Sequence, residues 1–121
     1  MNIPEKIRVL HQTYQISEVD NLHDGADDLY GQVRYLEERI LLNSGASGEA
    51  KKAALIHEAV HAVDEMFGIG LKEKQVEKLG TGLYSLIRDN PEMFSAVEID
   101  GKEVSRVIAP YTEAELNKRQ R

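Results

Sequence analysis

The sequence predicts an α+β domain in which a small antiparallel sheet packs beside a pair of helices. Short segments in which apolar and polar residues alternate fill most of the chain before residue 43. Two long segments with apolar residues at helical spacing follow, and Gly68-Ile69-Gly70 between them permits a tight reversal. From the length of 121 residues we expect a single domain, 1–121, with a core at about 6–91 and a C-terminal hairpin and tail at 92–121.

The N-terminal part of the chain favours strands. From Lys6 to Asp20, polar residues alternate with β-branched and aromatic ones, and His11-Gln12-Thr13 is a candidate turn within this stretch. The polar segment 21–28 is rich in turn-forming residues and predicts a loop. Residues 30–36 and 39–42 then predict two further short strands, which complete the expected antiparallel sheet.

Capping residues indicate where the two helices begin and end. Ser47 is a candidate N-cap, so we expect the first helix to run from about Gly48 to Phe67, with Gly68 after its last turn. Leu71 to Asp89 carries apolar residues at helical spacing and predicts the second helix. Asn90-Pro91 should stop it, because proline disfavours helical backbone in the residue before it.

The C-terminal segment predicts a hairpin followed by a tail. Asp100-Gly101 lies between two short alternating segments within 98–104, and this dipeptide is typical of a two-residue hairpin loop. Residues 110–121 are mostly polar and end in several basic residues, so we expect a frayed helix or a tail there.

The composition excludes several classes of function. The chain has 15 basic and 21 acidic residues, a net charge of −6, and such a chain is not expected to bind nucleic acid. It has no cysteine, so any metal site must use histidine and carboxylate ligands. Its first residues lack the apolar segment of a signal peptide, and no run of 18 apolar residues occurs. We expect a cytoplasmic protein without a membrane anchor.

The first helix contains an H-E-x-x-H motif, His57-Glu58-Ala59-Val60-His61. At about 100° per residue, the second histidine lies within roughly 40° of the first, one turn along, so both imidazoles converge on one point. Neutral imidazoles suit Zn²⁺, which in catalytic sites takes three protein ligands and leaves one position for water. Glu58 could reach that water as a general base. The alternative is a core helix whose histidines are satisfied by hydrogen bonds.

The second helix supplies two candidates for the third ligand. Glu73 and Glu77 lie one turn apart on one face, and Gly80 on the same stripe would let the two helices approach closely. In a strictly antiparallel hairpin that reverses near Ile69, Glu77 would lie closer to His61 in height than Glu73 does. Helices that are not strictly antiparallel would allow Glu73. A solvated face that binds no metal is a further alternative for both acids.

Three other residues are weaker candidates for the site. Asp64 follows His61 by three residues and could be a ligand, although a supporting or surface position is expected. Tyr84 and Tyr111 could each donate a hydrogen bond to a developing oxyanion. An ordinary core or surface position is expected for each tyrosine.

The second helix also carries a resemblance to a known family. The run Glu73-Lys-Gln-Val76-Glu77-Lys-Leu79-Gly80 resembles the second helix of gluzincins, in which a liganding glutamate is followed at +4 by an acid or amide and at +7 by a small residue. Together with H-E-x-x-H, the chain resembles the compact ImmA/IrrE-like metallopeptidases over about residues 30–91. Residues 83–91 resemble in particular the short phage and prophage proteins of that kind.

The resemblance implies a minimal zincin-like fold and a zinc-dependent peptidase. It implies His57, His61 and Glu73 as ligands, Glu58 as general base, and Glu77 as the carboxylate that orients an imidazole. The expected reaction is hydrolysis of a peptide bond in a protein or peptide substrate, such as a repressor. The oligomeric state does not follow from these residues.

The chain departs from the family pattern in two places. Eleven residues separate His61 from Glu73, a shorter link than is usual, and Val76 and Glu77 stand where the family usually has alanine and Asp or Asn. The exposed edge of the 39–42 strand is expected to hold an extended substrate by strand addition. The alternative function is a non-catalytic phage or prophage accessory or interaction protein in which the metal is structural or absent.

Overall fold

The computed structural model describes residues 1–94 and the backbones of two strands, 96–99 and 102–105. The chain forms two compact units, residues 1–85 and a second unit that starts at Leu86. The described residues form a mixed sheet and two helices, the second of which continues past residue 85, so the α+β class is confirmed. The prediction that residues 1–121 form a single domain stays a prediction.

Six strands precede the first helix. They are β1 (Lys6–Val9), β2 (Gln12–Val19), β3 (His23–Asp24), β4 (Asp27–Asp28), β5 (Gly31–Arg34) and β6 (Arg39–Asn43). Four of them form one sheet in the order β1-β2-β6-β5. The reversal between β1 and β2 falls at Leu10, whose φ of 58° is in the left-handed region, just before the turn that the sequence predicts.

The sheet is mixed, so the prediction of an antiparallel sheet is wrong. Strand β2 pairs with β6 in parallel, in register from Gln15 opposite Arg39 to Val19 opposite Asn43. The β1–β2 and β5–β6 pairs are antiparallel. Parallel neighbours need a crossover connection of about a dozen residues or more, and the segment 20–38, which includes β5, supplies it.

Strand β6 is central, which corrects the prediction that it offers an exposed edge. Its three consecutive apolar residues, Ile40, Leu41 and Leu42, are 0%, 5% and 0% exposed. Such a run suits a strand that is covered on both faces. Strand β5 is therefore the edge of the sheet at this side.

The segment predicted to be a loop at 21–28 contains a short ribbon. Strands β3 and β4 pair antiparallel, with Asp24 opposite Asp27, and Gly25 takes a φ of 61° in the turn between them. The ribbon has exposed side chains, so the polar composition of the segment agrees with its position at the surface.

Helix α1 (Gly48–Phe67) has the bounds that its caps predict. The Ser47 hydroxyl oxygen accepts a hydrogen bond from the Ala50 N–H at 3.1 Å, and Gly68 ends the helix at a φ of 61°. The helix packs on the sheet through a core that it shares with β1, β2 and β6. This core contains Val9, Tyr14, Ile40, Leu42, Ala54, Leu55 and Ala62.

Helix α2 (Glu73–Asp89) begins two residues later than the sequence predicts. The Asp64 Oδ1 atom accepts hydrogen bonds from the N–H groups of Gly70 and Leu71, at 2.7 and 2.9 Å, and holds the link in a non-helical path. The residues that α2 buries are Val76, Gly80 and Tyr84. None of the helices in the described ranges is long and apolar enough to cross a membrane.

The second unit contains the predicted hairpin. The Asn90 side-chain amide donates to the Leu86 carbonyl oxygen at 3.0 Å where α2 ends, and a short 3-10 helix, Pro91–Phe94, follows. Strands β7 (Ala96–Ile99) and β8 (Lys102–Ser105) pair antiparallel across a two-residue connection, which confirms the hairpin. The tail predicted at 110–121 lies outside the described residues.

Candidate metal centre

The two histidines of the H-E-x-x-H motif lie on one face of α1. Their ring centroids are 5.0 Å apart, with an angle of 67° between the ring planes. The side chains of His57 and His61 are 27% and 23% exposed, so both rings can be reached from solvent. The one-turn spacing that the motif predicts is therefore present.

Glu73 reaches both histidines from the first turn of α2. Its Oε1 atom is 3.0 Å from His57 Nε2, and its Oε2 atom is 3.0 Å from His61 Nε2. One possible ligand atom from each of the three residues lies within 4.8 Å of the others. Neighbouring ligand atoms of a tetrahedral zinc ion are about 3.3 Å apart, so the size and the donor types of this cluster fit Zn²⁺.

The structure brings Glu73, and not Glu77, to the histidines. The helices approach each other closely at Gly80, where an added Cβ would lie 3.2 Å from the His57 Cα atom. A strictly antiparallel hairpin would bring Glu77 nearer to His61, whereas the contacts with the imidazoles are made by Glu73. Glu77 lines the same cavity but makes no hydrogen bond to either imidazole within the part of the chain that the structure describes. Its role in orienting an imidazole stays a prediction.

The weaker sequence candidates lie elsewhere. Asp64 accepts hydrogen bonds from the backbone of the link and does not join the cluster. The Tyr84 hydroxyl donates to the Glu49 carboxylate near the start of α1. Tyr111 lies outside the described residues.

Glu58 follows His57 on α1, and its side chain is held next to the sheet. It is 8% exposed, and its Oε2 atom accepts a hydrogen bond from the Val33 N–H at 3.0 Å. Burial raises the pKa of the Glu58 carboxyl above its ordinary value; His61 and the Val33 hydrogen bond lower this pKa, and Glu73 raises it. A raised pKa brings a carboxylate closer to the range in which it exchanges protons near neutral pH.

The edge strand β5 presents backbone groups to this cavity. The Asn43 N–H donates to the Tyr30 carbonyl oxygen at 2.8 Å, so in the alternating antiparallel pattern Gly31 and Val33 point their N–H and C=O groups away from β6. A side chain at Gly31 would be tightly packed, because an added Cβ would lie 3.3 Å from Glu58 Cγ. Sequence reasoning did not identify Gly31 or Val33, although glycine within a strand is a sign of close approach.

Tyr35, just after β5, is a further residue that sequence reasoning missed. Its hydroxyl donates to the His61 carbonyl oxygen at 3.3 Å, and its ring lines the cavity. Burial, with a smaller effect of nearby carboxylates such as Glu65 and Glu58, raises the pKa of Tyr35 to about 12. Its phenol therefore remains a hydrogen-bond donor at neutral pH.

The residues of the candidate site share one open cavity of about 870 Å³. The charged residues among its described lining are all acids, namely Asp28, Glu58, Glu73 and Glu77. The arrangement can hold a divalent cation between two imidazoles and a carboxylate, with a second, buried carboxylate beside it.

The chain was compared with protein-family models, curated proteins and solved structures. None of them matches it. The resemblance to ImmA/IrrE-like metallopeptidases is therefore a hypothesis that depends on the motif residues of this chain.

Proposed function

We propose that the chain is a cytoplasmic, zinc-dependent metallopeptidase of zincin-like fold that hydrolyses peptide bonds in a protein or peptide substrate. The observation that carries this proposal is the convergence of His57, His61 and Glu73 in an open cavity that also contains the buried Glu58. Two neutral imidazoles and one carboxylate are a ligand set of catalytic zinc sites. The relation to ImmA/IrrE-like and phage proteins is part of the same proposal.

The proposed chemistry divides between the metal and Glu58. Bound zinc would supply a Lewis acid that polarises the scissile carbonyl and lowers the pKa of the attacking water. Glu58 would accept the proton from that water and pass it to the leaving amine. Since Val33 binds Oε2, the other carboxylate oxygen can take the proton.

The edge of β5 is the proposed place for the substrate backbone. The outward N–H and C=O of Gly31 and the outward C=O of Val33 are available to an added strand, whereas the Val33 N–H is already used by Glu58. This edge replaces the 39–42 strand, which the sequence suggested for the role.

The openness of the cluster favours catalysis over the non-catalytic alternative, an accessory or interaction protein. Structural zinc sites are closed by four protein ligands, whereas catalytic sites keep one position for water. The Glu73 side chain is 59% exposed, and the cluster in the described residues has three members. A fourth protein ligand found on the bound metal would support the structural alternative instead.

Substitution of the proposed base tests this function. Glu58→Gln should bind one equivalent of zinc as the parent does and lose hydrolysis of an unfolded protein such as casein by roughly 100-fold or more. The amide keeps the shape of the carboxylate but cannot accept the proton. Zinc content and peptide release would be measured on the same samples. Equal turnover of the parent and Glu58→Gln would remove Glu58 from the mechanism, and absence of zinc from the parent would contradict the proposed function.

A further inference from the structure

Beyond the histidines, part of the cavity is lined mainly by small side chains. The small or uncharged residues that line this part are Ala50, Ala53 and Ala54 of α1, Thr81 of α2, and Tyr30 just before β5. We call this part of the cavity the alanine recess. It contains none of the residues that converge on the candidate metal position.

The alanine recess begins directly beside the metal cluster. Ala53 and Ala54 precede His57 by four and three residues, and Ala50 precedes it by seven, so all three alanines share the face of α1 that carries the histidines. At 1.5 Å per residue, the recess reaches roughly 10 Å from His57 along the helix. A substrate group attached next to the scissile bond could therefore enter it.

The walls of the recess favour an uncharged occupant. Its three alanines are buried or half-buried, and no lysine or arginine is among the described residues that line the cavity. The two lining acids other than Glu58 and Glu73, namely Asp28 and Glu77, are exposed. Solvent and salt screen exposed charges, so these acids should contribute less to selection than the apolar wall does.

We propose that the alanine recess selects substrates with a large apolar side chain beside the scissile bond. This inference rests on the proposed function, because the scissile bond is defined by the metal position. A large apolar side chain would fill space that the alanines leave empty and would exclude water from it. The opposite possibility, that Asp28 and Glu77 attract a basic side chain, is decided by the same experiment.

Hydroxamates of different chain length would test the recess without turnover. A hydroxamate group binds to the zinc ion, and its alkyl chain can enter the neighbouring space. The zinc-loaded chain should bind hexanohydroxamate about 10- to 100-fold more tightly than acetohydroxamate, as measured by calorimetry, because up to four additional methylene groups leave water. The 6-aminohexanohydroxamate, which ends in a charged amine, should bind more weakly than hexanohydroxamate.

Variants that fill the recess complete the test. Ala53→Leu should bring the two apolar hydroxamates to within about 3-fold of each other. Thr81→Leu changes an exposed residue of the opposite wall and should have the same effect if Ala53→Leu does not fold. Ala26→Leu, in the exposed β3–β4 turn and outside the cavity, is the matched control and should retain the parent's preference.

The outcomes separate this inference from the proposed function. Equal binding of acetohydroxamate and hexanohydroxamate by the parent would overturn the apolar recess and leave the metal site intact. Tighter binding of the amine than of hexanohydroxamate would assign the selection to Asp28 and Glu77. Loss of preference in Ala26→Leu as well would show that the recess is not its origin. A parent chain that binds no zinc would remove both proposals together.

Discussion

The two sides of the cavity hold their acidic residues in different ways. On the sheet side, Glu58 is 8% exposed and its carboxylate is fixed by the Val33 N–H. On the α2 side, the Glu73 side chain is 59% exposed, and its polar partners among the described residues are the two imidazoles. Glu58 is thus positioned by packing against the sheet, whereas Glu73 is positioned by the groups that it would share with a metal.

The difference indicates which part of the site is organised before metal binds. A buried carboxylate with a backbone partner retains its position, while an exposed one has several rotamers open to it. If the cluster binds zinc, we expect the Glu73 side chain to be more mobile than the Glu58 side chain in the zinc-free chain. The variants that follow either disrupt both sides or change one side alone.

The largest effect is expected where the two sides meet, at the histidines. His57→Ala or His61→Ala should abolish stoichiometric zinc, because a single imidazole and a carboxylate do not complete a three-ligand site. Metal analysis after purification without chelator would measure this. His23→Ala, at an exposed histidine outside the cavity, is the control and should retain one equivalent. A full equivalent of zinc in either α1 variant would contradict the ligand set.

The next largest effect should distinguish the two acids of α2. Glu73→Gln should weaken zinc binding more than 100-fold, whereas Glu77→Gln should stay within about 10- to 100-fold, the range typical of residues that support a ligand. Zinc titrations at a pH where the histidines are neutral would compare them. If Glu77→Gln proved the more damaging, the α2 side would use its second acid and the assignment of Glu73 would be wrong.

Two glycines permit each side to be changed separately. Gly31→Ala would place a methyl group 3.3 Å from Glu58 Cγ, so it should reduce turnover roughly 10- to 100-fold with little change in zinc affinity. Gly80→Ala would place a methyl group 3.2 Å from the His57 Cα atom. Because His57 is a proposed ligand, this variant should weaken zinc binding by about 10-fold.

Gly82→Ala is the matched control for these glycines. An added Cβ there meets nothing within 4 Å, so this variant should keep both properties and gain up to about 1 kcal/mol in the free energy of unfolding. Identical losses of turnover and zinc affinity in Gly31→Ala and Gly80→Ala would show that the two sides do not act separately.

The smallest effect concerns the pH dependence of Tyr35 on the sheet side. Its pKa is raised from 10.0 to about 12. Between these two pH values the folded chain keeps the phenol proton, whereas the unfolded chain loses it. The resulting contribution to stability is complete below pH 10 and is lost as the pH rises toward 12. Between pH 10 and 12, the free energy of unfolding should therefore fall less steeply in Tyr35→Phe than in the parent, as measured from urea midpoints.

Phenolate absorbance gives an independent measurement of the same group. Tyr35→Phe should remove one phenol that titrates late, whereas Tyr30→Phe, at a tyrosine that is 67% exposed, should keep it. An unchanged titration curve in Tyr35→Phe would contradict the raised pKa of this hydroxyl.

Local signals explain which parts of the fold could be predicted. The bounds of α1 follow from Ser47 and Gly68, whose capping geometry depends on residues within one turn. The hairpin at 96–105 follows from a dipeptide with strong turn preference. The parallel pairing of β2 with β6 has no local signal, because it depends on how the segment 20–38 crosses the sheet.

The same distinction applies to the candidate site. The one-turn spacing of His57 and His61 is local and could be predicted from the sequence. The choice between Glu73 and Glu77 depends on the angle between two helices, which the spacing of residues within either helix does not determine. The contact between Val33 and Glu58 joins residues that are 25 positions apart, so it required the position of β5.

The link between the helices also has a consequence for metal affinity. Asp64 binds the backbone of Gly70 and Leu71, and thereby limits the conformations of the segment that carries Glu73. A tethered ligand acts at an effective concentration that depends on the freedom of its tether. Asp64 would thus raise the local concentration of the Glu73 carboxylate at the histidines without itself contacting a bound zinc ion, and in Asp64→Ala this concentration should fall although His57, His61 and Glu73 all remain.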